Sequence, residues 1–535
     1  MELTIEQTVN QLKEALITYI EAAYHISDPN LSKQRKALLK KEGVISQKPY
    51  IESTPRYKTK KAFGDLQLPP EVLEIFSEVS RASGIHKKLI YDPPYEHQAL
   101  SVQKTLNSKK SLFVITGTGS GKTECYLLPI LGKLAIEAKN RSRQYKERPA
   151  VRALILYPMN ALVNDQLSRI RLLFGDPRIS RKFMEWSGRP IRFGRYTSRT
   201  LYPGIRTSKN DGKKLSPSIE KYYIKHWEDA TNPDLSQSQR EKAEKLCGEL
   251  QKRGKWPQKQ DLRAWYGRRN TAWQDSSGAW KRWVKLDDDN ELLTRHEIQD
   301  APPDILITNY SMLEYMLMRP IEQSIFNLTS DWLLNNPDER LLLVMDEAHL
   351  YRGAGGAEVA LLIRRLRARL EIPPERLQVI CTSASFSNVK NASSFGAQLT
   401  GIDEEKFETI ESALNWKKNE GEGTADDADA LNTVNLEKFY DAVSSKKSAE
   451  VQKFLEYRSV SVSDSLAVSL HKALEDFPVL NKLINATMGK AQLVGSLGQN
   501  LFRDVDKKTS DNALAVLTAL ASFARENPNE AGLMP

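Results

Sequence analysis

Residues 111–123, SLFVITGTGSGKT, join a run of strand-forming side chains to a glycine-rich turn that closes on Lys122 and Thr123. A turn of this kind between a buried strand and a helix suits a polyphosphate. Gly117, Thr118, Gly119, Ser120 and Gly121 let the backbone curl until its N–H groups converge on a β-phosphate. Lys122 would then reach the β- and γ-phosphates, and the Thr123 hydroxyl suits Mg²⁺, so the expected ligand is ATP with its magnesium ion. Loops of the strict pattern begin with glycine, where this chain has Thr116. A second stretch, LLLVMDEAH at 341–349, ends a strand in two carboxylates. Asp346 suits the metal shared with Thr123, and Glu347 suits a general base that orients and deprotonates water. Taken singly, each stretch has a plainer reading: a glycine turn before Lys-Thr, and an acidic helix cap. Taken together they point to one nucleotide site. Gln98, shortly ahead of the loop, carries an amide that can donate and accept along one base edge, which suits adenine.

Positioning these groups requires a sheet. Short apolar runs recur at 153–157 (ALILY), 304–308 (DILIT), 341–345 (LLLVM) and 377–382 (LQVICT), each bounded by polar or turn residues. Such runs fit parallel strands covered on both faces. Helical spacing lies between them, as at 160–174 and at 357–370, where Val359, Leu362, Ile363, Leu366 and Leu370 share a face. The economical fold class is α/β, an open parallel sheet flanked by helices, whose carboxyl edge would carry the site.

At 535 residues the chain is long enough for two to four domains. Its 40% apolar and 27% charged residues are those of a globular protein, and no apolar run approaches a membrane span. Three separated cysteines give neither a disulfide framework nor zinc spacing, and no secretory start is evident, so a cytoplasmic setting is expected. A net charge of +10 tilts the expected partner toward nucleic acid.

TGTGSGKT, DEAH and the SAS at 383–385 resemble motifs I, II and III of the superfamily 2 DExD/H-box helicases, in the same order. Gln98 falls where the adenine-reading motif of that family falls. YPMNALVNDQ at 157–166, YTSRT at 196–200 and ITNYSML at 307–313 resemble motifs Ia, Ib and Ic. The resemblance implies a RecA-like lobe that binds ATP and Mg²⁺ and hydrolyses it to move along nucleic acid, DNA ahead of RNA. It implies strand contacts through Pro158, Asn160, Thr197, Thr308 and Asn309. It also implies a nucleotide-side role for His349 and coupling through Ser383 and Ser385. Asn160 stands where lysine is common, and Ser198-Arg199 where Gly-Asp is common, which puts those two strand contacts in doubt. The wording is most similar to large bacterial helicases with a C-terminal cysteine-cluster region, including those of Druantia-type anti-phage defence systems.

The domain map expected from these signals has an N-terminal helical accessory region at 1–90 and the ATP-binding lobe at 91–400. An acidic linker would follow at 401–430 and a mostly helical region at 431–535. The family has a second RecA-like lobe with arginine fingers, and no block after 385 resembles one. The chain is therefore expected to be a truncated product, or to be completed by another polypeptide. The alternative for this chain alone is an ATP-binding subunit that does not hydrolyse; a phosphate-loop kinase would leave Gln98 and motifs Ia–Ic unexplained. An insertion at 201–300 holds six of the nine tryptophans, and 251–285 carries ten Lys/Arg against two acids. Its aromatics either form the insertion's own core or offer a stacking surface for single strands.

Overall fold

The computed structural model describes residues 5–526 apart from positions 55, 83–86, 118, 203, 268–271, 385, 387–388, 441–443 and 463–464. Two compact units emerge: Tyr57–Ala413, and a second made of Met1–Arg56 with Leu414–Pro535.

The first unit is built on eight strands: β1 (Ser111–Ile115), β2 (Ala153–Tyr157), β3 (Phe193–Arg195), β4 (Glu291–Leu292), β5 (Ile305–Asn309), β6 (Leu341–Met345), β7 (Leu377–Ser383) and β8 (Phe407–Glu411). They lie in the order β4-β3-β5-β2-β6-β7-β1-β8, and every neighbouring pair is parallel. Alternate residues of one strand feed two different cores. Leu342 and Val344 of β6 join Ile155, Ile307 and Ile380 on one face, while Leu341, Leu343 and Met345 join Leu156, Leu306 and Val379 on the other. Burial on both faces is why these strands read as unbroken apolar runs rather than alternating ones. Each such side chain contributes about 1.5–3 kcal/mol relative to exposure, which locks the register that aligns the strand ends.

The amino edge of the sheet hides an ion network. Arg152, fully buried just ahead of β2, binds Glu137 through Nε and Nη2 at 2.8 Å, and Asp304 through Nη1 at 3.0 Å. Arg189 reaches both oxygens of Asp304 at 2.7 and 2.8 Å. Asp304 in turn stands ahead of β5 and accepts the backbone N–H of Arg192 at 2.9 Å. The network ties β2, β5 and the approach to β3 together at the edge opposite the motifs.

In the 201–300 insertion the tryptophans form a core. Trp265 and Trp283 are fully buried and meet edge to face at 4.8 Å, with Trp256 beside them. The half-buried rings carry arginines of the same insertion: Arg263 over Trp227, Arg282 over Trp273, and Arg206 over Trp280. Aromatic faces spent on internal packing and cations do not make a stacking platform. The basic–aromatic interleaving in the sequence reflects this capping.

The second unit pairs a short strand, Tyr50–Ile51, antiparallel with Gln492–Leu493. Helices from Ala425–Asn432 to Lys507–Phe523 surround a core that includes Leu431, Phe454, Phe477, Leu480 and Leu517, against which Ile51 packs. The segment read as an N-terminal region to position 90 is thus divided at Arg56, its first part belonging with the C-terminal helices. The stretch read as an acidic linker holds β8 and the start of a helix. Thr424 caps that helix, accepting the N–H of Asp427 at 3.2 Å and reached in return by the Asp427 carboxylate.

Candidate active site

Three neighbouring strands deliver the motifs to one edge. β1 lies between β7 and β8, and β7 lies between β1 and β6. Ile115 is in register with Ser383, and the Thr116 N–H continues the ladder by donating to the Ser383 carbonyl at 3.1 Å. The loop then turns through Gly119 and Gly121 at φ of +74° and +70°, a region that glycine enters without strain. Thr118 falls outside the described residues. A helix, Glu124–Asn140, begins directly after Thr123, so its positive end faces the loop. Phosphate binding by Thr116, Gly117, Gly119, Ser120 and Gly121 is compatible with this geometry.

The carboxylates close the other side. Asp346 follows β6 and is 3% exposed; its Oδ1 accepts from the Thr382 hydroxyl and, at 3.1 Å, from the Glu347 N–H. Burial raises its pKa above the ordinary carboxylate value, only partly offset by the Lys122 charge and the Thr382 hydrogen bond. Glu347 stands at φ +52°, rare for a residue with a side chain and worth roughly 1–3 kcal/mol of strain. In that pose its Oε1 forms an ion pair with the Lys122 ammonium, while Oε2 lies 3.4 Å from His349 Nδ1. The same His349 nitrogen is 3.1 Å from the Ser383 hydroxyl. Loop, acidic pair and third motif are therefore one contact chain: Lys122 to Glu347, Glu347 to His349, His349 to Ser383. Ser385 lies outside the described residues.

The Thr123 hydroxyl donates to Gln166 Oε1 at 3.3 Å and accepts from Arg169 Nη1 at 3.0 Å. These partners sit three apart on the helix Asn160–Phe174, the spacing that puts two side chains on one face. A buried, incompletely compensated carboxylate near a threonine hydroxyl is a hard-oxygen donor set, and it fits Mg²⁺. Among the described residues no cluster of three His, Cys, Asp or Glu could hold a metal.

Gln98 sits where the sequence placed it, on the helix Glu96–Leu106 against the loop, 7% exposed. Its Nε2 donates to the Gly121 carbonyl at 3.0 Å and its Oε1 accepts from the Tyr95 N–H at 3.1 Å. The amide therefore touches the loop itself. A Cβ on Gly121 would come within 2.2 Å of Gln98 Nε2, so only glycine admits this approach.

The residues expected to meet a strand cluster at the same edge. Asn309 donates to Asn160 Oδ1 at 2.7 Å, and Asn160 reaches the Ser198 hydroxyl at 3.4 Å, joining three motif ends. Pro158 and Asn160 are partly exposed. Thr197 and Thr308 are buried; the Thr308 hydroxyl donates to the Tyr196 carbonyl at 2.7 Å. Exposed at this edge instead are Ser198 and Arg199.

Tyr57, His97, Gln166, Arg169 and Thr382 touch the site, and no reading of the sequence singled them out. Gln166 and Arg169 carried a usable signal, their helical spacing after the apolar run at 153–157. Tyr57 carried none, because its position over Gly117 depends on a remote segment folding back.

The family model described as DEAD/DEAH box helicase matches residues 95–192 and 240–392. The Druantia protein DruE of Escherichia coli (strain UMEA 4076-1) is 40% identical over 554 residues, covering 99% of this chain and 29% of that protein. An uncharacterized ATP-dependent helicase, MJ1574 of Methanocaldococcus jannaschii, is 34% identical over 105 residues, 20% of this chain and 14% of that one. The chain thus spans under a third of the length of these relatives. Among solved structures, the DUF1998 helicase MrfA bound to DNA is 19% identical with a TM-score of 0.35, over 86% of this chain and 45% of that one.

Proposed function

We propose that this chain, whose residues 95–192 and 240–392 match the family model described as DEAD/DEAH box helicase, is the ATP-binding lobe of a nucleic-acid helicase or translocase. One observation supports the reading: the Lys122 ammonium, after β1, pairs with Glu347, after β6, beside the buried Asp346 and across the end of the intervening β7. A γ-phosphate bound by Lys122 would take over that cation and release Glu347 to accept a proton from an attacking water. Asp346 and Thr123 would hold Mg²⁺, which would supply neutralisation of phosphate charge there. Arg169 is exposed, so its hydrogen bond to Thr123 yields to such an ion at little cost. Gln98 reads adenine from the helix that already touches the loop. His349 and Ser383 relay the state of Glu347 to the edge where Asn160 and Asn309 meet.

The strand partner is nucleic acid, DNA ahead of RNA, met where Pro158, Asn160, Ser198 and Arg199 reach the surface, with the buried Thr197, Thr308 and Asn309 supporting that edge from behind. Hydrolysis also needs a second RecA-like lobe, in cis or supplied by another polypeptide. The likeness to Druantia protein DruE supports a bacterial defence role in the cytoplasm. No helix among the described residues is long and apolar enough to cross a membrane.

ATP turnover by the chain together with the second lobe tests this. Turnover is expected to rise on adding single-stranded DNA, and less with RNA. Lys122→Ala is expected to lower it about 10²-fold, the loss typical of one charge-stabilising donor. A chain that binds ATP yet turns over no faster than Lys122→Ala with either nucleic acid is a binding subunit, and the proposal is wrong.

A further inference from the structure

Consecutive side chains of one helix grip consecutive carbonyls of the phosphate loop. His97 Nε2 lies 2.8 Å from the Ser120 carbonyl, and Gln98 Nε2 lies 3.0 Å from the Gly121 carbonyl. A carbonyl only accepts, so the proton of the imidazole sits on Nε2. Nδ1 is buried with no hydrogen-bond partner among the described residues, which makes the ring neutral and its tautomer single. Burial also holds the His97 pKa below the ordinary histidine value. The ring is 1% exposed, stacked on Tyr95 at 5.6 Å and met edge-on by Tyr57 at 5.4 Å. Its aim is fixed on both sides.

A trans peptide points its C=O and the following N–H in opposite directions. Holding the Ser120 and Gly121 carbonyls against the helix therefore turns the N–H groups of Gly121 and Lys122 away from it. Those are the groups a phosphate-binding nest must present. The loop does not fix these planes unaided, since glycine at 119 and 121 leaves its backbone many alternatives.

We propose that His97 is a positioning residue for polyphosphate binding, setting the Ser120–Gly121 peptide plane as Gln98 sets the next one. The inference rests on reading 116–123 as the ATP-phosphate site. His97→Phe keeps the ring between the two tyrosines and removes the donor; His97→Gln returns a donor near the Nε2 position. Titration of the chain with fluorescent ATP and ADP in Mg²⁺ is expected to show about tenfold weaker binding for His97→Phe, with most of it recovered in His97→Gln. The ligand-free unfolding midpoints are expected to match wild type.

Wild-type affinity in His97→Phe overturns the inference while leaving the site's ATP reading intact. Wild-type protein that binds neither nucleotide overturns that reading, and the inference with it. Equal loss in Phe and Gln variants, or a lowered ligand-free midpoint in both, marks His97 as structural and overturns its positioning role. Should His97→Phe fail to fold, His97→Asn, whose shorter amide does not reach the carbonyl, takes its place beside His97→Gln.

Discussion

Glu347→Gln is expected to lower ATP turnover about a thousandfold while leaving ATP affinity within a few-fold of wild type. The substitution keeps the shape and the hydrogen-bonding reach of the side chain but removes its ability to accept a proton, and general bases contribute about 10²–10⁴ in rate. Because the loss falls on a step after binding, kcat drops and KM stays, the signature of an interaction made in the transition state. The ion pair with Lys122 is lost too, and this frees the ammonium for phosphate, so binding does not suffer. Steady-state turnover beside equilibrium binding of a fluorescent ATP analogue decides it. Turnover near wild type would move the base elsewhere, and His349, 3.4 Å from Glu347, is the next candidate.

Asp304→Ala is expected to cost about 3–5 kcal/mol of folding stability, the usual price of stripping a partner from a buried ion network. It leaves the guanidiniums of Arg152 and Arg189, both nearly inaccessible to water, without the carboxylate that faces them. Burial alone would raise the Asp304 pKa. The charge and hydrogen bonds of Arg189, then Arg152 and the Arg192 N–H, more than offset it and hold the carboxyl at about 2, below the ordinary aspartate value of 3.8. A depressed carboxylate pKa gives stability that is complete above 3.8 and is lost as pH falls through about 2. Urea unfolding of wild type and variant should therefore differ most near neutrality, with the two curves converging toward pH 2. A midpoint shift that stays constant down to pH 2 would assign the loss to packing rather than charge.

Legibility followed burial and sequence distance. β2, β5, β6 and β7 were readable because both faces are covered and each carries an apolar run, with polar residues confined to a few positions of β5 and β7. β3 and β4 are two or three residues long, and β8, FETIE, buries only Phe407 and Ile410 fully, so each looked like loop or linker. The proposed triplet Lys122, Asp346 and Glu347 could be named from the sequence because each motif is local and its chemistry lies in the residue types. His97 and Tyr57 could not, because their contacts join separate segments of the chain, and adjacency of that kind leaves no periodic trace. The tryptophans of the insertion left two readings open, and the core among them is the one observed. A basic–aromatic pattern has the same composition whether the arginines cover a strand's bases or the insertion's own rings.

The pairing of Tyr50–Ile51 with Gln492–Leu493 bears on the order in which the protein is made. The early strand leaves the ribosome with its partner still untranslated, and the whole of Tyr57–Ala413 is synthesised in between. At roughly 5–20 residues per second, the wait is on the order of 20–90 s. The lobe can complete its sheet during that interval, whereas the helical unit cannot close until Gln492–Leu493 and the helix Lys507–Phe523 have been made. A nascent chain halted before residue 490 should thus be protease-resistant across the lobe and cut freely within its first fifty residues.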